Sequence, residues 1–308
     1  MNRLAVGIAS AVLGATLWGF SGSCMQYLFA HYQITSLFIT VVRMLGAGSL
    51  FLIVLLMRQR DLVKRMLADR SSVIQLVIFG GAGLFLCQVT YILAISYTNA
   101  GTATVMQGLN MVFVLGTTCV LARRLPTLRE IACVALAFGA IVAIATKGDL
   151  GTLNIPIEGL IWGLTTAAAA AFYIMYPQRL FAKWGSLPVT GVGMLIGGIT
   201  ATIVMALSSA LHGATGGAVG EMFFVPALDT TGLAVLAAII VLGTFGAFGL
   251  YLHGVSITGS VTGSLLGAIE PVSATLFAAI WLGTLFNWAD WLGLVLMVAT
   301  IVLISTKQ

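Results

Sequence analysis

One carboxylate, Glu270, lies in an apolar stretch and is followed at once by Pro271, which removes a backbone donor from the helix. The surrounding run, 260–283, would form a helix of about 36 Å, which is long enough to span a bilayer. An acid near mid-bilayer is costly and by default functional. Glu270 could therefore bind a substrate ammonium group or exchange a coupling proton near neutral pH. The alternative is a buried carboxylic acid that hydrogen-bonds helices together.

Arg43 is the basic residue that the pattern places at depth, roughly eight residues into a second apolar run at 35–57. A guanidinium there needs a partner, which could be Glu270, a substrate carboxylate or backbone carbonyls. If Arg43 and Glu270 both face a cavity, they form opposite poles suited to a zwitterion such as an amino acid. Arg43 could equally make a structural ion pair or reach to the outer surface.

Two amides, Gln107 and Asn110, lie about one turn apart on the same face of a third apolar run. They could line a cavity and orient a ligand. They could also form interhelical hydrogen bonds, which contribute only about 0.6 kcal/mol on average in membranes.

Two aromatic residues, Trp18 and Tyr251, are expected to close over a ligand, because an aromatic wall beside a carboxylate suits a cationic or aromatic group. Most membrane aromatics instead pack in the core or at the interfaces.

The elements that must position these residues are transmembrane helices. The 308 residues are 60% hydrophobic and only 7% charged, which is typical of a polytopic helical membrane protein. The net charge of +5 comes from basic residues in loops, so it does not indicate nucleic-acid binding. The four cysteines lie in apolar windows without paired spacing and are expected to be core residues. No metal, nucleotide or covalent cofactor is predicted.

Hydropathy predicts an all-α protein of ten spans with both termini cytoplasmic, because this orientation places nearly all Lys and Arg residues inside. The predicted spans are 5–29, 35–57, 73–97, 101–122, 128–146, 158–178, 188–211, 231–254, 260–283 and 288–305.

The chain also repeats internally. A shift of 160 residues places Tyr91 on Tyr251 and Asn110 on Glu270. Each half then holds five helices, at 1–147 and 148–308, and an odd number forces the halves to enter the membrane from opposite sides. Inverted repeats of this kind are typical of secondary transporters, whose substrate site lies at the midplane between the halves.

The sequence resembles the EamA-like branch of the drug/metabolite transporter superfamily. The resemblance rests on ATLWGFS at 15–21, Arg43, AISYTNA at 94–100 and EPV at 270–272, and it covers essentially the whole chain. It implies ten helices, an inverted repeat, a central cavity and alternating access, with many members exporting metabolites such as amino acids.

The prediction is a transporter, not an enzyme, in the inner (cytoplasmic) membrane. It would move a small polar or amphipathic metabolite, with amino-acid export favoured and protons as a candidate coupling ion through Glu270. The first alternative is transport of organic cations such as quaternary ammonium compounds. The remote alternative is an intramembrane serine hydrolase, in which Gly19-Phe20-Ser21-Gly22 and His253 would form a dyad. The partners expected are a small-molecule substrate and the lipid bilayer, and the protein is expected to be a monomer or homodimer.

Overall fold

The computed structural model describes residues 3–149, 154–215, 227–258, 266–267 and 269–305, and every regular element of three or more residues in these ranges is a helix. The helices are, in chain order, α1 Arg3–His31, α2 Ser36–Arg58, α3 Arg60–Ala68, α4 Arg70–Tyr97, α5 Ala100–Leu121, α6 Leu128–Thr146, α7 Ile157–Met175, α8 Gln178–Trp184, α9 Ser186–Thr215, α10 Thr230–Thr258, α11 Ile269–Leu282 and α12 Trp288–Ser305.

In the described ranges, eight helical segments are long and apolar enough to cross a membrane, with α7 and α8 taken together as one segment. The helices α11 and α12 are shorter and also apolar. The prediction of an all-helical membrane protein is therefore confirmed. The ninth predicted span, 260–283, lies partly outside the described residues.

The hydrophilic segment 58–72, which lies between the second and third predicted spans, contains α3. This nine-residue helix buries Val63 and Met66 while its basic residues stay exposed. Only two core-facing residues per two turns hold the helix against the bundle, so hydropathy averaged over a longer window does not detect it.

Two helices contain a π-helical turn at related positions of the two halves. In α4 the turn is Phe79–Leu84, and in α10 it is Val241–Gly246. Such turns insert one extra residue into a helix and are frequent at functional sites. The first turn packs against α9 and the second against α1 and α2.

A third irregularity interrupts α5 at Gly108 and Leu109, between Ala100–Gln107 and Asn110–Leu121. There the amide of Leu109 bonds to the carbonyl of Met106, three residues back, so one turn is tightened. The interruption lies inside the fourth predicted span, 101–122. The break lies beside Asn110, at the position that repeats as Glu270.

The two halves interleave through direct helix contacts. The helix α1 packs against α10 and α11, α2 against α9, and α6 against α12. The contact of α1 with α10 is close because Gly254 has no side chain. A methyl group added there would lie 2.5 Å from the amide nitrogen of Ala11 and 2.6 Å from the carbonyl oxygen of Gly7. Backbone approaches of this kind are typical of membrane helices.

An ion pair joins α6 to α12 at the end of the bundle away from the N-terminus. Lys147 Nζ lies 2.7 Å from Asp290 Oδ2, and the Asp290 side chain is 4% exposed. The amide of Asn287 also donates to Asp290 Oδ2, at 2.9 Å. Because its remaining oxygen sites are satisfied, the buried carboxylate is compensated locally and is not left open to a ligand.

We predict that Gly254→Ala destabilises the protein by about 1–3 kcal/mol, because the added methyl group meets fixed backbone atoms. The matched control is Gly249→Ala on the same helix, where no atom lies within 4 Å of the new methyl group. Thermal unfolding in detergent should show a lower melting temperature for the first variant only. Equal melting temperatures would contradict close packing of α1 on α10.

Candidate functional site

A cavity of about 670 Å³ lies among the helices of both halves. This volume is in the range of sites for small organic ligands. The cavity is lined by Trp18, Arg43, Leu84, Cys87, Gln88, Tyr91, Thr104, Gln107, Gly108, Asn110, Met111, Val114, Ala170, Tyr173, Ile174, Gln178, Phe181, Ser186, Phe248, Tyr251, Leu252, Val255, Ser256, Gly267, Glu270 and Pro271. All six residues predicted for the site, namely Glu270, Arg43, Asn110, Gln107, Trp18 and Tyr251, therefore line one space.

The cavity extends from mid-bundle toward the end where α1 begins. Its lining includes Gln178 and Ser186, beside the start of α8 and α9, and Ser256 near the end of α10. This is the end that carries most of the basic residues.

Arg43 is 4% exposed, so its charged group is removed from bulk water. Its Nε donates a hydrogen bond to Thr244 Oγ1 at 2.8 Å, and one terminal nitrogen approaches Met25 Sδ at 3.8 Å. Thr244 belongs to the π-helical turn of α10. A guanidinium has five N–H donors, and within the described residues these two contacts engage only two of its nitrogens.

Glu270, in the first turn of α11, faces the same cavity and is half-buried. Its carbonyl oxygen accepts from Ser273 Oγ at 2.9 Å, but no described residue hydrogen-bonds its carboxylate. Arg43 and Glu270 are close enough for their charges to interact, yet they make no ion pair within 4.0 Å. The carboxylate and the guanidinium are thus separate poles of one cavity.

The side-chain amides that line the cavity differ in the number of hydrogen bonds they make to described residues. Gln107 Nε2 donates to Thr166 Oγ1 at 3.1 Å and approaches Cys87 Sγ, so this amide partly serves to join helices. Asn110, in contrast, has no hydrogen-bond partner among the described residues. Gln88, on α4, is 7% exposed, and its amide also lacks a described partner. Buried amides without partners are costly unless water or a ligand satisfies them.

The two predicted aromatics pack on each other at the cavity wall. The rings of Trp18 and Tyr251 are 4.7 Å apart and tilted by 47°, and Trp18 also meets Phe248 edge-on. The indole Nε1 of Trp18 is buried without a hydrogen-bond partner in the described structure. Two further tyrosines, Tyr91 and Tyr173, line the cavity from α4 and α7.

At the end of the bundle where α1 ends, one amide joins helices of both halves. Gln26 Oε1 accepts from the amide of Ala100 at 2.9 Å, and its Nε2 donates to Thr284 Oγ1 at 2.8 Å. The rings of Tyr27 and Trp281 stack beside it, 5.4 Å apart and within 8° of parallel. These contacts link α1 to the starts and ends of helices from both halves.

Two important residues were missed at the sequence level. Gln88 sits in an apolar run with no distinguishing spacing, although a glutamine at membrane depth is itself a weak signal. Thr244 could not be recognised from the sequence, because the hydroxyl group of a threonine in a membrane helix usually hydrogen-bonds a carbonyl of its own helix.

The structure does not bring together the residues of the hydrolase alternative. Ser21 is fully buried and packs against Gly243. His253 is exposed and lies ten residues further along α10, about 15 Å along the helix axis. Among the described residues, no group of three His, Cys, Asp or Glu side chains could hold a metal ion.

Cys87 provides a chemical test of the site, because it lines the cavity whereas Cys24 is fully buried in α1. We expect compounds that raise the melting temperature of the purified protein to slow alkylation of Cys87 by N-ethylmaleimide, since they would occupy the space before its sulfur. Peptide mass spectrometry measures the rate, and the fully buried Cys24 should stay unmodified, which checks that the protein remains folded. Unchanged alkylation in the presence of a stabilising compound would place its site elsewhere.

Comparisons with known proteins agree with this architecture. The sequence model of the EamA-like transporter family matches twice, at residues 5–146 and 157–306. The uncharacterized inner membrane transporter YicL of Salmonella typhimurium (strain LT2) is 32% identical over 305 residues, covering 99% of this chain and 97% of that protein.

More distant similarities point the same way. An uncharacterized transporter of Archaeoglobus fulgidus is 25% identical over 187 residues, covering 61% of this chain and 63% of that protein. One crystal structure, described only as that of a protein, shares the fold with a TM-score of 0.60 at 15% identity, covering 98% of this chain and 97% of the other. The family model matches both halves of the chain, and the 32% identical relative is an inner membrane transporter. This chain is therefore a multi-pass inner membrane protein that belongs to the EamA-like transporter family.

Proposed function

We propose that this transporter is a secondary active carrier that moves an amino acid or a similar small zwitterion outward across the cytoplasmic membrane, with protons as the coupling ion. The observation that carries the proposal is that Arg43 and Glu270 lie on the wall of one cavity and form no ion pair with each other or with any other described residue. A ligand with a carboxylate and an ammonium group would satisfy both at once, and Asn110 and Gln88 would add hydrogen bonds.

The mechanism that fits is alternating access between two inverted repeats of five helices each, at 1–147 and 148–308, with ten spans and both termini cytoplasmic. The basic residues concentrate at the end where α1 begins, which supports a cytoplasmic location for that end. The cavity reaches toward this end, so the described conformation corresponds to an inward-facing state. Gln26 and the stacked Tyr27 and Trp281 then close the outer side.

The role proposed for Glu270 is proton exchange as well as ammonium binding. Its carboxylate has no described hydrogen-bond partner, so protonation breaks no internal contact. A proton and a substrate ammonium group would compete for the same oxygens. This competition couples their movements in opposite directions.

A second candidate substrate class is quaternary ammonium compounds, favoured by the Trp18 and Tyr251 rings on the cavity wall. Such a cation has no carboxylate, so it would use Glu270 and the aromatic rings but not Arg43. The two classes therefore predict different effects for the same substitution.

We expect Glu270→Gln to reduce pH-driven flux in proteoliposomes roughly tenfold to a hundredfold, because one charge-assisted hydrogen bond of about 1.5–3 kcal/mol and the exchangeable proton are lost. Substrates are first selected by a thermal-shift screen against amino acids, polyamines and choline-like cations. The control is Glu158→Gln, which neutralises an exposed acid on α7. Full pH-dependent flux by the Glu270 variant would exclude this residue as the coupling group.

The same assay separates the substrate classes through Arg43→Ala. Loss of flux for an amino acid with retention for choline would support the proposed carboxylate contact. The control is Arg70→Ala, an exposed basic residue at the start of α4. Retention of amino-acid flux by the Arg43 variant would favour the organic-cation alternative.

The closed outer end yields a separate prediction. Gln26→Leu keeps the side-chain size but removes both hydrogen bonds, so it should shift the population toward outward-open states. In sealed right-side-out vesicles, a membrane-impermeant thiol reagent added outside should then label Cys87 faster. Gln75→Leu is the control, since Gln75 bonds only Ser71 of its own helix. Equal labelling of both variants would show that Gln26 does not hold the outer side closed.

A further inference from the structure

Thr244 is the one polar side chain of a described residue that meets Arg43 with a short hydrogen bond. Its Oγ1 lies 2.8 Å from Arg43 Nε, and the same oxygen donates its own proton to the carbonyl of Ile239 at 2.8 Å. Because the hydroxyl proton is engaged by Ile239, the oxygen can only accept from Arg43. The hydrogen bond therefore has a fixed direction.

This arrangement depends on the π-helical turn. Other threonines in the described helices, such as Thr40 and Thr200, donate to a carbonyl four residues earlier. Thr244 donates to a carbonyl five residues earlier, because the turn Val241–Gly246 inserts an extra residue. The hydroxyl is thereby turned toward α2, where Arg43 lies.

The contact is not required to build the fold. When the two π-helical turns are aligned, Ala82 occupies the position of Thr244, and the first turn forms without a hydroxyl group. In the earlier part of the two halves a shift of 152 residues applies, which places Gly7 on Gly159 and Phe20 on Phe172, and this shift places Leu195 at the position of Arg43. The polar pair joins the first half to the second, and the residues at the symmetry-related positions, Leu195 and Ala82, are both apolar, which argues for a role in ligand binding.

The held guanidinium also has no direct anionic partner. No described carboxylate lies within 4.0 Å of it, and its other contact is to the weak acceptor Met25 Sδ. Since Nε is engaged on the α10 side, the terminal nitrogens of this cavity-lining residue remain for an anion. A buried cation in this state is stabilised when a ligand brings the missing charge.

We propose that Thr244 is a positioning residue, which holds Arg43 so that its terminal nitrogens form a subsite for a carboxylate or a similarly small anionic group of the ligand. This inference rests on the proposed function, because it deepens the description of the same cavity. In this proposal, the Thr244 hydroxyl group sets the preference of one end of the cavity for an anionic group, and it does so without needing to touch the ligand.

The test uses Cys87, which lines the cavity and lies within electrostatic range of Arg43 and Glu270. Two methanethiosulfonate reagents of similar size are compared, one carrying a sulfonate and the other a trimethylammonium group. Their rates of reaction with Cys87 in the purified full-length protein are measured by peptide mass spectrometry. The ratio of the anionic to the cationic rate reports the electrostatic field at the subsite.

Thr244→Val keeps the shape of the side chain and removes the acceptor, so we expect the rate ratio to fall about threefold to tenfold as Arg43 loses its fixed position. Thr244→Ser should keep the ratio of the wild-type protein, and Arg43→Ala should lower it at least as far as Thr244→Val. Thr40→Val is the matched control, because Thr40 is a buried threonine of α2 that bonds only Ser36.

A purely structural role would give a different result. If Thr244→Val only loosened the bundle, both reagents would react faster and their ratio would stay the same, which would overturn the proposal. An unchanged ratio in Arg43→Ala would overturn the anionic subsite itself. The labelling requires no transported substrate, so a failure of amino-acid flux in proteoliposomes is a separate outcome that leaves this result standing.

Discussion

The separation between Arg43 and Glu270 is the constraint on which the proposed site depends. If the two groups met, each would neutralise the other and the cavity would offer a ligand little electrostatic attraction. They remain apart because each is held to a different structure: Arg43 to Thr244, and the backbone of Glu270 to α1. A methyl group added at Gly19 would lie 2.8 Å from the Glu270 carbonyl oxygen, so the approach of α11 to α1 leaves little freedom there.

Irregular backbone makes this separation possible. The π-helical turn Val241–Gly246 redirects Thr244 toward Arg43, and the break at Gly108 and Leu109 lies beside Asn110. Broken helices are tolerated at membrane depth only where they are buried in protein or face a water-filled space. The break at Gly108 lines the cavity, whereas the turn Val241–Gly246 packs against α1 and α2 and acts on the cavity through Arg43.

The sequence was sufficient to predict the helical class and to single out six of the residues that line the cavity; their roles in binding stay predictions. This was possible because a charge such as Glu270 or Arg43 is rare in an apolar window, so its position alone marks a site. Gln88 and Thr244 could not be identified in the same way. The proposed role of Thr244 depends on one extra residue in a helical turn. Such an insertion leaves no mark in the hydrophobic pattern of the sequence, so that pattern cannot predict it. The break at Gly108 also lacks the proline that would have indicated it.

The two halves share an arrangement of helices but differ in the charged residues they place at the cavity, and this difference has a consequence for ligand binding. The repeat places Asn110 where the second half has Glu270, and Leu195 where the first half has Arg43. A symmetric pair of charged residues would put two like charges at one site, which is expensive in a region of low dielectric. With one cation and one anion, the cavity has two distinct ends instead. Under the proposed mechanism, a two-repeat backbone that would allow rocking between two states coexists with an asymmetric cavity that would orient a dipolar ligand in one way.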